Sequence, residues 1–104
     1  MLTATPFAPL VSDTTAVSVS GTTAAGALNL QAGTPRGGLT CRVHNATAVR
    51  VYIQFGDSTV TATTAKMPIP AGATEVFSIG GCTHIAAITD SGTGTLYATP
   101  GFGA

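Results

Sequence analysis

The chain has 104 residues, which is enough for one domain with a thin core. Only 8% of the residues are charged, and four basic residues balance four acidic ones. This composition argues against a nucleic-acid partner and against an anionic membrane surface, because both are bound by clustered Lys and Arg. A surface so poor in charge favours association, so we expect the protein to pack against copies of itself or a larger assembly.

The N-terminus reads MLTATPFAPLVSD and has neither the basic start nor the continuous apolar stretch of a secretion signal. No apolar run in the sequence approaches the ~20 residues that a membrane-spanning helix needs. We therefore expect the protein to be made and used in a cytoplasm, with Cys41 and Cys82 as reduced thiols.

Residues 1–13 contain prolines and no hydrophobic period, which predicts an extended N-terminal arm. Phe7 and Leu10 would give this arm apolar side chains to bury against a neighbouring protein. We expect a single β-sandwich domain over residues 14–99, followed by a C-terminal tail over residues 100–104.

Residues 39–56, LTCRVHNATAVRVYIQFG, predict two β-strands joined by a turn over residues 45–48. In the second strand apolar side chains alternate with others, as in a strand with one dry face and one wet face. The dry face would carry Val49, Val51, Ile53 and Phe55, and the exposed face Arg50, Tyr52 and Gln54. We expect this hairpin to be the centre of one sheet.

Further short strands are predicted on both sides of this hairpin, and no segment shows a helical period. Residues 57–65 predict a short edge strand or a surface loop, and residues 67–70 an extended segment. The pattern of seven or eight short strands is typical of an all-β protein, an antiparallel β-sandwich that is either immunoglobulin-like or a jelly roll. The further strands are expected over residues 14–20, 27–31, 74–79, 83–89 and 93–99.

Asp90-Ser91-Gly92 matches the motif of aspartic proteases, in which two chains of this length can each give one carboxylate to a shared site. In such proteases the motif lies in the first third of the chain, whereas here it lies near the C-terminus. Asp followed by Ser-Gly between two strands is also an ordinary tight turn. We expect a turn at this position.

Cys41, His44, Cys82 and His84 are residue types that bind zinc. Residues three apart on a strand point to opposite faces, so Cys41 and His44 cannot easily share one metal ion. Cys82 and His84 can share a face, but two ligands do not make a structural site. We expect no metal, and a Cys41–Cys82 disulfide stays the less favoured alternative to two thiols.

No nucleophile motif of the G-x-S-x-G type accompanies the two histidines. The Gly-Gly pairs neither precede a helix nor carry the lysine of a phosphate-binding loop. We therefore predict no enzyme activity, no catalytic residue and no cofactor. The face with Tyr52, Arg50 and Gln54 is a candidate sugar-binding face, although such a face is more often the wet or partner-facing side of a sheet.

Residues 49–101 resemble a family of small virion structural proteins of tailed bacteriophages. Phe55-Gly56 ends a strand and is followed by a Thr-rich loop, and the order of the motifs is more specific than any one of them. The motifs are MPIPAG at residues 67–72, EVF at residues 75–77, THIAAI at residues 83–88 and GTLYATPG at residues 94–101.

This resemblance implies a structural virion protein, foremost a capsid decoration or cement protein that binds the major capsid protein and copies of itself as a homo-oligomer on the particle. Such a protein would be made in the bacterial host cytoplasm and end in the virion. The alternative is a tail, neck or receptor-facing β-module, with glycan binding that depends on Tyr52 or Tyr97. The candidate partner-contact residues are Phe7, Leu10, Tyr52, Met67 and Phe102, and Ile69 is expected to cap the domain's own core.

Overall fold

The computed structural model describes residues 7–9, 14–28, 30 and 39–103. These residues form strands and connecting segments, and none of them lies in a helix able to cross a membrane. The strands are β1 (Ala8–Pro9), β2 (Thr15–Val19), β3 (Ala24–Ala27), β4 (Leu39–Asn45), β5 (Val51–Gly56), β6 (Met67–Ile69), β7 (Thr74–Ser78), β8 (His84–Thr89) and β9 (Gly94–Phe102).

The strands form two antiparallel sheets that face each other. In sheet A, the long strand β9 pairs on one side with β4, which in turn pairs with β7. The other side of β9 pairs with β2 along its first half and with β1 near its end. In sheet B the order is β3-β8-β5-β6. All strand pairs in the described part of the chain are therefore antiparallel.

The strand order identifies the sandwich as a jelly roll. Strands β2 to β9 lie in the orders β2-β9-β4-β7 and β3-β8-β5-β6. Consecutive strands change sheet at every step except from β5 to β6, which is how an eight-stranded jelly roll is wound. The sequence prediction of an all-β antiparallel sandwich is confirmed, and the topology selects the jelly roll over the immunoglobulin-like alternative.

The core lies between the two sheets and is built from alternating positions of the strands. The pattern is regular in β2 and β4, where every second residue is buried. Burial of these side chains supplies the main driving force for folding, at roughly 25 cal/mol per Å² of apolar surface. The core residues with no exposed surface are Leu39, Cys41, Val43, Val51, Ile69, Ile85, Ala87, Leu96 and Ala98.

The predicted hairpin over residues 39–56 is wrong in its pairing. Strand β4 belongs to sheet A and β5 to sheet B, so the segment between them crosses from one sheet to the other. Asn45 holds this crossing: its Nδ2 donates to the carbonyl oxygens of Val49, Ile69 and Pro70 at 2.9, 2.9 and 3.1 Å. Asn is favoured both in hairpin turns and in such arches, because its side chain bonds nearby backbone in each.

The ends of the domain also differ from the prediction. Strand β9 continues through Phe102, so residues 100–102 belong to sheet A instead of a tail. Of the predicted arm, residues 7–9 are described, and Ala8 and Pro9 pair with Phe102 and Gly101 of the chain's own β9. The strand predicted over residues 27–31 begins earlier, as β3, and residues 57–65 form a loop.

Candidate functional site

The outer face of sheet B is covered by the loop of residues 57–66. The amide of Ala62 donates to Thr23 Oγ1 at 2.8 Å, so the loop reaches back to the residue that precedes β3. At the near end of the loop, Val60 lies so close to Gly56 that an added Cβ there would be 2.9 Å from it. Ala86 has no exposed surface although it points to the outer face, between the inward-facing Ile85 and Ala87. The loop therefore covers the middle of this face, whereas Ala25 and Pro68 on its two edge strands stay exposed.

Tyr52 lies on this covered face, and the prediction that it is exposed is wrong. Its side chain is 9% exposed and sits on the same face as its register partners Ile88 and Pro68. The phenolic hydroxyl donates to a carboxylate oxygen of Asp90 at 3.0 Å, and Arg50 donates to the phenolic oxygen at 3.5 Å. The contact with Tyr52 raises the pKa of Arg50. Tyr52 is thus part of the domain's own packing.

Asp90 lies in the connection between β8 and β9, where the Asp-Ser-Gly motif forms a turn. Gly92 has a φ of 90°, a left-handed conformation that glycine adopts without strain. The main-chain oxygen of Gly92 accepts a hydrogen bond from Thr89 Oγ1 at 2.9 Å, which closes the turn. The chain changes direction at this motif, as the sequence predicted, but the segment crosses from sheet B to sheet A and is a bend instead of a tight turn between paired strands.

Among the residues that the structure describes, no loop lies across the outer face of sheet A as residues 57–66 lie across sheet B. The registers of β4, β7 and β9 place two rows of side chains on this face, the first made by Val76, Arg42 and Thr99 and the second by Thr74, His44 and Tyr97. Arg42 is exposed, and Tyr97 is 41% exposed. No loop of the described chain covers these two rows to the extent that residues 57–66 cover sheet B.

These rows line two adjoining clefts, which we call the sheet A groove. The first cleft has a volume of about 400 Å³ and the second about 320 Å³, and both are lined by Arg42 and Thr99. Arg42 therefore stands at the centre of the groove. The first cleft is completed by Phe7, Pro9 and Val76, and the second by His44, Thr74 and Tyr97.

Hydrogen bonds fix the polar side chains of the groove. His44 Nδ1 and Thr74 Oγ1 lie 2.8 Å apart, which orients the imidazole ring. The hydroxyls of Thr14 and Thr99 share a hydrogen bond of 2.8 Å. Of the described side chains that line the two clefts, none is acidic. The groove thus offers a guanidinium group, an exposed phenol and apolar walls, without a carboxylate of its own.

The other sequence-predicted contact residues are placed differently. Phe7 is half-buried and lines the groove beside β9, and Phe102 packs against the domain's own core. Leu10 lies outside the described residues. Met67 is 52% exposed at the open edge of the sandwich, near the tilted ring pair of Phe55 and Phe77. Ile69 is completely buried in the core, as the sequence predicted.

The two cysteines are free thiols in different surroundings. Cys41 is completely buried in the core, and this burial raises the pKa of its thiol to about 12. Cys82 is half-buried beside Phe77 and Met67 at the open edge. His44 lies on the outer face of β4 while Cys41 faces the core, so the two do not converge. Within residues 7–9, 14–28, 30 and 39–103, no three metal-binding side chains form a group.

Arg42 is the groove residue that the prediction of contact sites missed, and Tyr97 was named only as a glycan contact. Arg42 and His44 alternate with the buried residues of β4 and so share a face, but the sequence gives no partner for that face. Tyr97 follows Arg42 by more than fifty residues, and only the pairing of β4 with β9 brings the rows together. Long-range register of this kind has no local sequence signal.

No protein-family model matches this chain, and no curated protein is significantly similar to it. A solved structure similar to this one comes from work on Bacillus endospore appendages, which form a novel family of disulfide-linked pili. The two chains are 14% identical over 99% of this chain and 95% of the other, with a TM-score of 0.48. Similarity at this level supports no inference about function.

Proposed function

We propose that this chain is a structural virion protein, a capsid decoration or cement protein that binds the major capsid protein and copies of itself. The observation that carries the proposal is the contrast between the two outer faces. The loop of residues 57–66 covers the middle of sheet B, while sheet A presents the groove around Arg42 and Tyr97. A domain with one open face is suited to lie flat on a larger assembly.

The composition supports the same role. A surface with few charges has little electrostatic repulsion to keep copies apart, so weak contacts between neighbours persist. On a particle, many modest contacts act together, and their combined affinity far exceeds that of one contact. Met67, exposed at the open edge of the sandwich, supplies a second apolar contact outside the groove.

Mixing the purified protein with empty capsid shells of its parent phage, followed by sedimentation and cryo-EM, tests the proposal. We expect density that repeats over the icosahedral surface, with sheet A facing the shell. Tyr97→Glu would place a charge on the open face and abolish co-sedimentation, whereas Thr64→Glu, on the exposed loop over sheet B, would leave it intact. Density confined to the tail or to one vertex, or no binding, would contradict the decoration role.

A receptor-facing β-module of the tail or neck that binds glycans is the second candidate. The exposed ring of Tyr97 beside the hydroxyl of Thr99 and the imidazole of His44 favours it, because sugars stack on aromatic rings and bond to polar side chains. A glycan array probed with the native chain and with Tyr97→Ala tests this role. Binding that Tyr97→Ala removes would support it, and an array without binding would reject it.

A further inference from the structure

We propose that the sheet A groove binds an acidic peptide segment of a protein partner, and that Arg42 donates hydrogen bonds to its Asp or Glu carboxylate. This inference deepens the proposed function and rests on it for the protein nature of the partner. The two clefts meet at Arg42, so the carboxylate would lie at the middle of the groove.

The charge of the groove comes from Arg42. Among the described residues that line the groove, Arg42 is the only arginine or lysine and none is acidic. The described acidic residues lie elsewhere: Asp57 in the loop over sheet B and Asp90 in the turn after β8. Glu75 is on β7, but it alternates with Val76 and points away from the outer face. None of these three described carboxylates lines the groove, so the guanidinium group of Arg42 faces it as a donor.

The hydrogen-bonding side chains of the groove also suit a carboxylate. A guanidinium group carries five N–H donors in a planar fork that matches a carboxylate. The hydroxyls of Thr99 and Thr74 already have partners in Thr14 and His44. Among the described residues that line the groove there is no carboxylate or carboxamide, so its strongest hydrogen-bonding group is the guanidinium donor of Arg42. A ligand with a strong acceptor such as a carboxylate therefore matches the groove.

The groove has apolar walls on both sides of Arg42. Phe7, Pro9 and Val76 lie on one side of Arg42, and the exposed ring of Tyr97 lies on the other. In an extended peptide, alternate side chains project from the same face about 7 Å apart. A segment with an acidic residue between two apolar ones, each two positions away, would place its carboxylate on Arg42 and its apolar side chains on the walls.

Titration of the ¹⁵N-labelled chain with the capped peptide Ac-Leu-Ser-Glu-Ser-Leu-NH₂ at low salt tests the inference. We expect amide shifts at residues 42, 44, 97 and 99 of the outer face of sheet A. The peptide with Gln in place of Glu should bind about fivefold more weakly, the difference that one exposed ion pair makes. At 0.5 M salt the Debye length falls below 5 Å, so the two peptides should bind equally.

Arg42→Gln should reduce the affinity for the Glu peptide to that for the Gln peptide. Arg50→Gln is the matched control, because it removes the same charge from an exposed arginine outside the groove. A dispersed amide spectrum shows that each variant is folded. Equal binding of the two peptides to the native chain, an equal loss in Arg50→Gln, or shifts confined to other faces would overturn the inference.

Sodium glucuronate is the second probe. If it shifted the same amides at lower concentration than the peptide, the groove would belong to an acidic sugar and the peptide inference would be wrong. These titrations need no particle, so their outcome is separate from the shell-binding test. Shell binding without peptide binding would keep the decoration role and remove the groove as its acidic-peptide site.

Discussion

Asn45 and Thr47 hold the crossing between the two sheets through one carboxamide oxygen. The amide and the hydroxyl of Thr47 both donate to Asn45 Oδ1, at 3.0 and 2.7 Å. Asn45 itself has no exposed surface, and its backbone bonds the turn before β7, with its amide donating to Ala73 O at 2.9 Å. The crossing therefore depends on one buried polar side chain whose groups are all satisfied.

Replacing this side chain should be among the most destabilising changes outside the apolar core. Asn45→Ala would remove the buried acceptor of the Thr47 amide and the donor to Ile69 O, whereas Val49 O would keep the Thr47 hydroxyl and Pro70 O the Ala73 amide. We expect a loss of about 3 kcal/mol in the free energy of unfolding, because each buried group left unsatisfied costs about 1–3 kcal/mol and local water recovers part. Urea unfolding measures it, with exposed Ala48→Ser as the control. A loss below about 1 kcal/mol would show that the arch does not need Asn45.

Gly101 sets how closely β1 can approach β9. A Cβ added at this position would lie 2.8 Å from Phe7 Cζ and 2.9 Å from Pro9 Cα, so a larger residue must displace β1. We expect Gly101→Val to expose residues 7–9 to hydrogen exchange and proteolysis while the rest of the sandwich stays folded. Gly81→Ala is the matched control, because nothing lies within 4 Å of its added Cβ. Unchanged protection of residues 7–9 in Gly101→Val would contradict this prediction.

Tyr52 and Tyr97 should differ in how much they contribute to the stability of the fold. Tyr52→Ala removes a ring that is 9% exposed together with its hydrogen bond to Asp90, so we expect a loss of roughly 3 kcal/mol in the free energy of unfolding. Tyr97→Ala removes a side chain that is 41% exposed and should change stability by no more than about 0.5 kcal/mol. Thermal unfolding of both variants measures the difference. Equal losses would mean that Tyr97 also serves the fold.

Strand β5 shows what the sequence could and could not supply. Its alternation correctly placed Val51 and Ile53 in the core. The same alternation assigned Tyr52 to a wet face, because the period of a strand reports which residues share a face and not what covers it. The cover comes from residues 57–66, whose Ser and Thr content is typical of a surface loop. Its bond to Thr23 depends on a contact between residues far apart in the chain.

The sequence limited the fold to an antiparallel sandwich but could not select the jelly roll, because the strand connections also depend on contacts between residues far apart in the chain. Strand number and the turn signals limited the fold to a sandwich, whereas the step from β4 to β5 depends on which carbonyl groups Asn45 reaches. Two of these carbonyl groups, at Ile69 and Pro70, come from the segment before β7. Likewise, Pro100-Gly101 has the composition of a tail, and only the approach of residues 7–9 explains the glycine within β9.

The contribution of Asp57 to the stability of the fold should depend on pH. Thr59 donates to its carboxylate through the hydroxyl at 2.6 Å and the amide at 2.9 Å, and these bonds lower the pKa of Asp57. A lowered pKa stabilises the fold above the unfolded-state pKa of about 3.9, and this contribution is lost as the pH falls through the folded-state pKa. Thr59→Val should raise the pKa of Asp57, measured by NMR titration of its carboxyl carbon, whereas exposed Thr61→Val should not. An unchanged pKa in Thr59→Val would contradict the assignment.

The two thiols should differ sharply in reactivity. Burial of Cys41 disfavours its thiolate and raises its pKa to about 12, and the thiolate is the form that reacts. At pH 8 in the folded protein we expect iodoacetamide to modify Cys82 alone, and both thiols after unfolding. Mass spectrometry after timed alkylation measures this, and Cys82→Ala should give no adduct under native conditions.

The raised pKa also has a consequence for alkaline stability. A group with a raised folded-state pKa contributes its stability fully below the unfolded-state pKa, which is about 8.5 for Cys, and loses it as the pH rises toward 12. The native chain should therefore lose stability between about pH 9 and pH 11 relative to Cys41→Val, which has no proton to release at this position. Urea unfolding at each pH measures the difference between the two proteins. A difference that stays constant over this range, or rapid alkylation of Cys41 at pH 8, would show that solvent reaches the thiol in the folded state.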